Sequence, residues 1–257
     1  MQAPLWDRVD RRALEKPLFN VRPTQQVFPD WLEGEWDCDT RFAGYSFPSA
    51  IDKKRLVSDT SVPGFLKLSI AQLADVGKGG LHQLRFIRKD GAVVEDKAFN
   101  ITAMVDAFLG APVVQSVDYA PSREPNRVTI NLVPGSTNNA ERCELYVNAR
   151  ESATRPDGVF YNLEAVRQVA LGYSRQFNTP RVAVTDYLIV WTFKRIDADS
   201  IQASINTAGY IQPNEALKYT SDSPGAAPQL GGLLTAATEP VVLYSHTVQM
   251  RRHPPSA

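Results

Sequence analysis

The sequence has little cysteine, which excludes a disulfide-stapled scaffold. Such scaffolds need several cysteines at regular spacings, whereas this chain of 257 residues has only Cys38 and Cys143. Both lie in strand-like runs, so a single disulfide between strands is one interpretation. Two buried free thiols are the interpretation we favour, because an unpaired cysteine behaves as a small buried hydrophobe.

The chain also lacks an excess of charge of either sign and lacks a long apolar run. Its 28 basic and 28 acidic residues cancel, whereas proteins that bind nucleic acid need a surplus of lysine and arginine. No stretch approaches the roughly 18 apolar residues of a transmembrane helix. We therefore expect no nucleic-acid partner and no transmembrane segment. The first 12 residues have no apolar run, so either no targeting segment is needed or one has been removed.

Motifs that support catalysis or metal binding are absent. Of the three histidines, His82 and His246 have no histidine or cysteine nearby at the spacing of a metal site, and His253 lies in a polar tail. No Gly-x-Ser-x-Gly turn offers a nucleophile, and no glycine-rich loop precedes a helix that would hold a phosphate. We therefore predict that the protein is not an enzyme and has neither catalytic residues nor a metal.

One domain follows an N-terminal arm in the predicted organisation. Residues 1–30 carry four prolines that break any long helix, so this segment is interpreted as an extended arm that wraps the domain or docks on a partner. Residues 31–253 show no break in composition and no internal repeat, which indicates one domain. Within it, residues 223–238 are rich in proline, glycine and alanine, which predicts a long flexible loop.

Alternating apolar and polar residues predict strands along this domain. The predicted strands cover residues 35–42, 65–70, 81–87, 92–99, 113–119, 127–133, 141–150, 159–171, 182–196, 201–211 and 241–251. Lys89-Asp90-Gly91 predicts the turn of a hairpin between the strands at 81–87 and 92–99. One short helix is predicted to run from a cap at Asn100 to Phe108 and to end at Gly110. Because closing a sheet removes its exposed edges, we predict an all-β fold, a single antiparallel β-barrel of about 8–10 strands.

The first and last strands carry a pattern typical of one class of barrel. Gly34-Glu35-Trp36 has the Gly-x-Trp signature of lipocalin-like barrels, in which the tryptophan closes one end and an arginine after the last strand stacks over its indole. A guanidinium over an aromatic ring gains cation–π energy. Here Arg252 follows the last strand and shares the parity of its apolar face. The resemblance implies that Gly34, Trp36 and Arg252 are structural residues that close the barrel.

Further short motifs extend this resemblance. They are Phe28-Pro29-Asp30-Trp31, Asp96-Lys97-Ala98-Phe99-Asn100, Asn126-Arg127, Asn148-Ala149-Arg150-Glu151-Ser152 and Arg167-Gln168-Val169. With them the chain resembles, over roughly residues 28–252, a family of lipocalin-like (calycin) β-barrel proteins from cyanobacteria and plastids. The resemblance implies a chloroplast protein, in the thylakoid lumen or elsewhere near the photosynthetic machinery. It implies no particular activity.

Three side chains are candidates for binding a ligand in the barrel. Arg167 shares parity with apolar residues of its strand, and we expect that face to point inward, where an unpaired arginine costs free energy. It would anchor an anionic ligand group, face a partner or, as we favour, pair with an acid such as Asp186. Tyr187 and Trp191 line one face of the next strand, and such a face is more often core than a cofactor site. The other face of that strand is also apolar, so both should be covered.

Two hypotheses of function follow. The first is a non-catalytic accessory or assembly subunit of a photosynthetic (thylakoid) membrane complex that docks from the soluble side. It rests on the resemblance, the long arm, the neutral charge and the lack of a catalytic motif. The alternative is a carrier of a small hydrophobic or amphiphilic molecule, such as a pigment, a bilin or a lipid, with Arg167 as its polar anchor. The size of the cavity inside the barrel distinguishes between them.

Overall fold

Ten strands and one α-helix make up the part of the chain that the computed structural model describes, which is residues 25–48, 78–137, 140–174, 179–210 and 239–254. The strands are β1 (Gly34–Ser46), β2 (Gly80–Lys89), β3 (Ala92–Glu95), β4 (Val114–Asp118), β5 (Arg127–Leu132), β6 (Arg142–Thr154), β7 (Phe160–Ser174), β8 (Thr179–Arg195), β9 (Ser200–Tyr210) and β10 (Val242–Arg252). The helix α1 (Lys97–Leu109) follows β3, and one 3-10 turn (Asp30–Leu32) precedes β1. The predicted strand at 65–70, the predicted loop at 223–238 and residues 1–24 of the predicted arm lie outside the described residues.

The strands form one antiparallel sheet whose order is β3-β2-β1-β10-β9-β8-β7-β6-β5-β4. Strands adjacent in sequence are adjacent in this sheet, except that β3 and β4 lie at opposite edges and β1 pairs with β10. The sheet curls around one cluster of buried side chains, to which both edges and the middle contribute. This confirms the prediction of an all-β, barrel-like fold.

The turn between β2 and β3 shows how local sequence positions the strands. Asp90 has a φ of 51° and Gly91 a φ of 81°, so both central residues are left-handed. A two-residue hairpin turn with this geometry matches the natural twist of the strands, and Asp-Gly is one of the pairs that tolerate it. The sequence therefore predicts this hairpin correctly.

The N-terminal cap of α1 is Asp96, not Asn100, so the first turn of the helix replaces the end of the strand predicted at 92–99. The Asp96 carboxylate accepts a hydrogen bond from the Phe99 amide at 3.3 Å. Asn100 instead ties α1 to β2, because its Oδ1 accepts from the Arg85 amide at 2.6 Å. Aspartate and asparagine cap helices about equally well, so the sequence pattern does not distinguish Asp96 from Asn100, and the prediction of Asn100 was wrong.

The curled sheet buries side chains on both of its faces. The inner face and α1 form the inner cluster, which includes Trp36, Ile101, Leu145, Ile189 and Val248. The outer face of β6 to β9 carries the outer cluster, which comprises Ala149, Val159, Tyr161, Leu163, Ala165, Leu188, Val190, Ala208 and Tyr210. Both faces of β8 are therefore buried, as its apolar sequence predicts.

Within the described ranges the barrel is not closed by strand pairing, because β3 and β4 do not pair with each other. We call the gap between them the seam. The helix α1 packs on both β2 and β4, and Gln26–Phe28 also crosses the seam. The Phe28 amide donates to the Val93 carbonyl at 2.8 Å, and Gln26 Nε2 donates to the Glu151 carbonyl at 3.2 Å. The last residues of the predicted arm are therefore part of the barrel.

The two ends of the barrel differ. At one end, which we call the Trp end, the start of β1 lies beside the end of β10. At the other end, which we call the loop end, β1 finishes, β2 begins, β9 finishes and β10 begins. The long connections at 49–77 and 211–238, which lie outside the described residues, both join strands at the loop end.

Candidate functional site

Three charged side chains are buried together behind the seam. The Nζ of Lys97, at the start of α1, donates to both carboxylate oxygens of Glu164 on β7, at 2.8 and 2.9 Å. The Nε of Arg150 on β6 donates to the same carboxylate at 3.0 Å. The side chains of Lys97, Glu164 and Arg150 are 7%, 12% and 2% exposed. We call these three residues the charge cluster.

Neighbouring groups complete the pairing of the charge cluster. Arg150 donates to Asn126 Oδ1 through Nη1 and to the Pro125 carbonyl through Nη2, both at 2.8 Å. A second carboxylate, that of Glu95 on β3, lies 3.6 Å from the Nζ of Lys97. Two cations therefore face two anions, which is the arrangement that makes buried charges tolerable.

Burial and pairing act in opposite directions on the pKa values of these groups. Burial raises the pKa of Glu164, but Lys97 and Arg150 outweigh it and the pKa is lowered overall. Burial lowers the pKa of Lys97, but Glu164 and Glu95 outweigh it and the pKa is raised overall. Both groups therefore stay charged at neutral pH. The charge cluster ties α1 to β6 and β7 and does not provide a group that titrates near pH 7.

Two cavities lie on either side of the charge cluster. The outer one, which we call the cleft, opens at the seam and has a volume of about 180 Å³. The inner cavity has a volume of about 40 Å³, which is room for a few water molecules. The two are separated by a wall of side chains that line both, which are Phe28, Glu95, Lys97 and Glu164.

The described residues offer no metal site and no activated thiol. Among them, no three His, Cys, Asp or Glu side chains converge as a metal ion requires. Cys38 and Cys143 are both free, and both are buried in the inner cluster. Burial raises the pKa of the Cys143 thiol to about 11 and raises that of Cys38 further. Because the thiolate is the reactive form, neither cysteine is a nucleophile at neutral pH.

Arg167 lies on the outer face of β7, which corrects the expectation that its face points inward. Its neighbours Leu163 and Ala165 belong to the outer cluster, whereas Val166 belongs to the inner cluster. The guanidinium donates to the two carboxylate oxygens of Asp186 at 2.8 and 3.0 Å, which is the pairing that the sequence favoured. The face of β7 that carries Arg167 is the more apolar one, whereas the inward face carries Asn162 and Glu164, so strand parity indicated the wrong face.

Tyr187 and Trp191 lie on the inner face of β8, away from Arg167. Tyr187 is 1% exposed and belongs to the inner cluster. Trp191 stacks on Phe193 with ring centroids 5.4 Å apart, and it lines the inner cavity. The structure therefore does not bring the three predicted ligand-binding residues together. Trp191 alone faces a cavity.

Arg252, Trp36 and Gly34 are in contact at the Trp end. The guanidinium carbon of Arg252 lies 4.4 Å from the centroid of the Trp36 ring. Its Nη1 also donates to the Glu33 carbonyl at 3.0 Å. Gly34 has a φ of 122°, and a Cβ at this position would lie only 2.7 Å from Nη1 of Arg252. Glycine is therefore needed here both for the backbone conformation and for the approach of the arginine.

Comparison with known proteins identifies one family. The model of a domain of unknown function, DUF6816, matches residues 21–254. The chain belongs to the DUF6816 family. No curated protein and no solved structure matches the chain. The match begins before Phe28, so the DUF6816 domain includes the segment that crosses the seam, which the predicted domain start at residue 31 left out.

In the described portion, no helix is long and apolar enough to span a membrane.

The charge cluster is the feature of the DUF6816 chain that the sequence did not reveal. Lys97, Asn126 and Arg150 each lie in one of the short motifs that carry the resemblance, but these motifs are far apart in the chain. Glu164, the partner of both Lys97 and Arg150, lies in none of them. The sequence did contain an indication of the charge cluster, because Lys97 and Arg150 lie among residues that the fold buries, and a buried cation needs an anionic partner. Identifying that partner requires the order of the strands.

Proposed function

We propose that the protein is a non-catalytic accessory or assembly subunit of a photosynthetic membrane complex, and that it docks on the complex from the soluble side. The proposal combines the resemblance to cyanobacterial and plastid barrels with what the folded chain offers to a partner. A chloroplast location, in the thylakoid lumen or beside the thylakoid membrane, is part of the same proposal.

The observation that carries the proposal is a set of exposed apolar side chains at the loop end. Leu81 at the start of β2 is 77% exposed, Val182 near the start of β8 is 63% exposed, and Leu109 at the end of α1 is 48% exposed. Single exposed apolar residues are ordinary, but three at one end of a barrel favour contact with another surface. We therefore propose the loop end as the docking surface.

The interior supports this proposal over the carrier alternative. Pockets for drug-sized ligands have volumes of about 300–1,000 Å³, and a pigment, a bilin or a lipid needs at least that much space. The inner cavity holds about 40 Å³. Arg167, the anchor that a carrier would use, pairs with Asp186 on the outer face. Neither feature favours a large ligand inside the barrel.

Isolation of membrane complexes from the source cells tests the proposal. Thylakoid membranes would be solubilised in mild detergent, the complexes separated by native electrophoresis, and the chain detected by an epitope tag. We expect the wild-type chain in a band of high mass and expect Leu81→Asp to reduce its amount there. Ile196→Asp is the matched control, because Ile196 is 57% exposed but lies in the turn between β8 and β9 at the Trp end.

Three outcomes decide the matter. Co-migration that Leu81→Asp reduces and Ile196→Asp leaves unchanged would support docking at the loop end. A chain found only in the soluble fraction, without any complex, would contradict the whole proposal. Equal loss with both variants would place the docking surface elsewhere and contradict the assignment of the loop end.

A further inference from the structure

The wall between the cleft and the inner cavity is one side chain thick, because the same four residues line both spaces. We propose that the seam is the entrance to a binding site for a small, uncharged amphiphile that carries a hydroxyl or carboxamide head and an apolar body no larger than one ring. The ligand would enter from the cleft by displacing Phe28 and would lie in the enlarged inner cavity, with its body against Trp191 and its head at Asn162. This inference is independent of the proposed docking function.

A hydrogen-bond acceptor without a donor indicates what the head must be. Asn162 on β7 lines the inner cavity and is 7% exposed, and its Oδ1 has no hydrogen-bond partner among the described residues. The nearby Glu95 carboxylate already accepts from Asn100 Nδ2 at 3.4 Å and faces Lys97 Nζ at 3.6 Å, so Asn162 Oδ1 is the acceptor left for a ligand. A buried acceptor without a donor costs about 1–3 kcal/mol. A ligand that donates a hydrogen bond to Asn162 would recover this free energy.

The charges at the wall indicate that the head is uncharged. Lys97 and Arg150 are already neutralised by Glu164 and Glu95, all within 3.6 Å of a partner. An anionic head would have to compete with Glu164 for the two cations, and a cationic head would have to compete with Lys97 for the carboxylates. Breaking a buried pair in this way costs more than the new contact returns. A neutral head uses the free acceptor and leaves the pairs intact.

The rest of the inner cavity indicates an apolar body. It is lined by Leu84, Phe86, Met104, Ile189, Trp191 and Phe193. The cleft, at about 180 Å³, exceeds the ~150 Å³ of a dry protein cavity that holds benzene. The inner cavity alone is too small for a ring, so entry requires Phe28 to swing aside. Phe28 is the only apolar member of the wall, and its segment is not part of any strand.

A series of nearly isosteric probes tests the proposal on the full chain. Benzyl alcohol and benzamide carry the predicted heads, benzoate and benzylamine are their charged counterparts, and toluene has no head. Binding is measured by saturation-transfer NMR titration, and the site is located from shifts of the Asn162 side-chain amide and the Trp191 indole in labelled protein. We expect benzyl alcohol and benzamide to bind at least tenfold more tightly than the charged probes and to move both signals.

The variant Asn162→Leu should weaken the binding of benzyl alcohol by about tenfold, because one buried hydrogen bond is lost. It should leave the binding of toluene unchanged. Asn131→Leu is the control, because Asn131 lies on β5 with its Nδ2 bonded to exposed Ser116 and Asp118. Equal binding of charged and neutral probes, shifts only at the loop end, or no binding by any probe would each overturn the proposal. The shift map is read on the wild-type chain, so it decides the matter even where Asn162→Leu fails to fold.

Discussion

Lys97 donates two hydrogen bonds to Glu164, at 2.8 and 2.9 Å, and thereby joins the first turn of α1 to the middle of β7. No strand pairing joins the two edges of the sheet in the described ranges, so this contact is one of few that hold the seam together. Both side chains are buried, so removing either one should lower the stability of the fold markedly.

Breaking this pair from one side should destabilise the fold strongly. Lys97→Met leaves Glu164 with Arg150, whereas Glu164→Gln leaves both cations without their main anion. We expect costs of about 3–5 kcal/mol in the free energy of unfolding, with Glu164→Gln the larger. Urea denaturation followed by circular dichroism measures both, and the double variant should cost less than the sum of the single ones. Additive costs would show that the two residues do not interact.

Arg252 and Gly34 should be coupled at the Trp end. Arg252→Ala removes the stacking on Trp36 and the hydrogen bond to Glu33, at about 1–2 kcal/mol. Gly34→Ala should cost about 1–3 kcal/mol, because its positive φ is strained for alanine and its Cβ meets the Arg252 guanidinium. In the Arg252→Ala background only the backbone cost of Gly34→Ala remains. Thermal unfolding of all four proteins tests this, and an unchanged cost in that background would rule out the steric contact.

Arg167 should act through Asp186 and not through a ligand. Asp186 is 3% exposed and Arg167 is 42% exposed, so Arg167→Gln leaves a buried carboxylate short of its donor while removing an accessible cation. We expect Arg167→Gln to cost about 1–3 kcal/mol of stability and to leave benzyl alcohol binding unchanged. Asp186→Asn should remove most of that cost. Loss of probe binding in a folded Arg167→Gln protein would restore Arg167 as a ligand anchor.

The stability of the protein should fall in mild acid because of His82. Burial lowers the pKa of His82 to about 4, and its Nε2 lies 2.9 Å from Thr40 Oγ1. In the unfolded chain the pKa of His82 is about 6.5, so the unfolded state takes up a proton at a higher pH than the native state does. The free energy of unfolding is therefore highest above pH 6.5 and declines as the pH falls toward 4. Between pH 8 and pH 5 we expect a loss of about 2 kcal/mol. His82→Gln should flatten this part of the curve, measured by urea denaturation at each pH. A curve that falls as steeply in His82→Gln as in the wild type would contradict this role of His82.

The two cysteines should report on opening of the barrel. A pKa of about 11 for Cys143, against 9.0 for the free thiol, reduces its thiolate by about a hundredfold, and burial blocks access as well. Native protein at pH 8 should therefore react with iodoacetamide only as fast as it opens, whereas protein in urea should react at once at both sites. Mass spectrometry of the time course distinguishes the two. Fast labelling of native protein would contradict the buried, free state of Cys38 and Cys143.

The fold was largely predictable because its signals are local. Alternation of apolar and polar residues, the Asp90-Gly91 turn and the Gly110 cap each act within a few residues. In the described ranges they are found where predicted, except that α1 replaces the end of the strand predicted at 92–99. The Trp36–Arg252 contact also follows from the sequence, since the resemblance joins the first strand to the last. These features need no knowledge of how the middle strands are arranged.

The candidate site was not predictable because it depends on contacts between distant strands. Arg150 and Glu164 are direct partners across the β6–β7 hairpin, but Glu164 meets Lys97 only because α1 reaches from β3 to β7. No pattern within one strand indicates that second meeting. Arg167 was assigned to the wrong face for a related reason. Its set on β7 is the more apolar of the two but faces outward, because the outer face of β6 to β9 is buried as well.

The position of the seam also affects how the chain folds. The gap in the barrel lies between β3 and β4, in the middle of the sequence, and the first and last strands are paired. During synthesis β1 to β3 leave the ribosome long before β10. Trp36 can therefore pack against Arg252 only after all the other strands have been synthesised. If the ends were joined and the chain were cut between α1 and β4, the same strands would form a simple meander in which every strand pairs with its predecessor. Such a permuted chain would make its contacts at shorter separation and should fold faster.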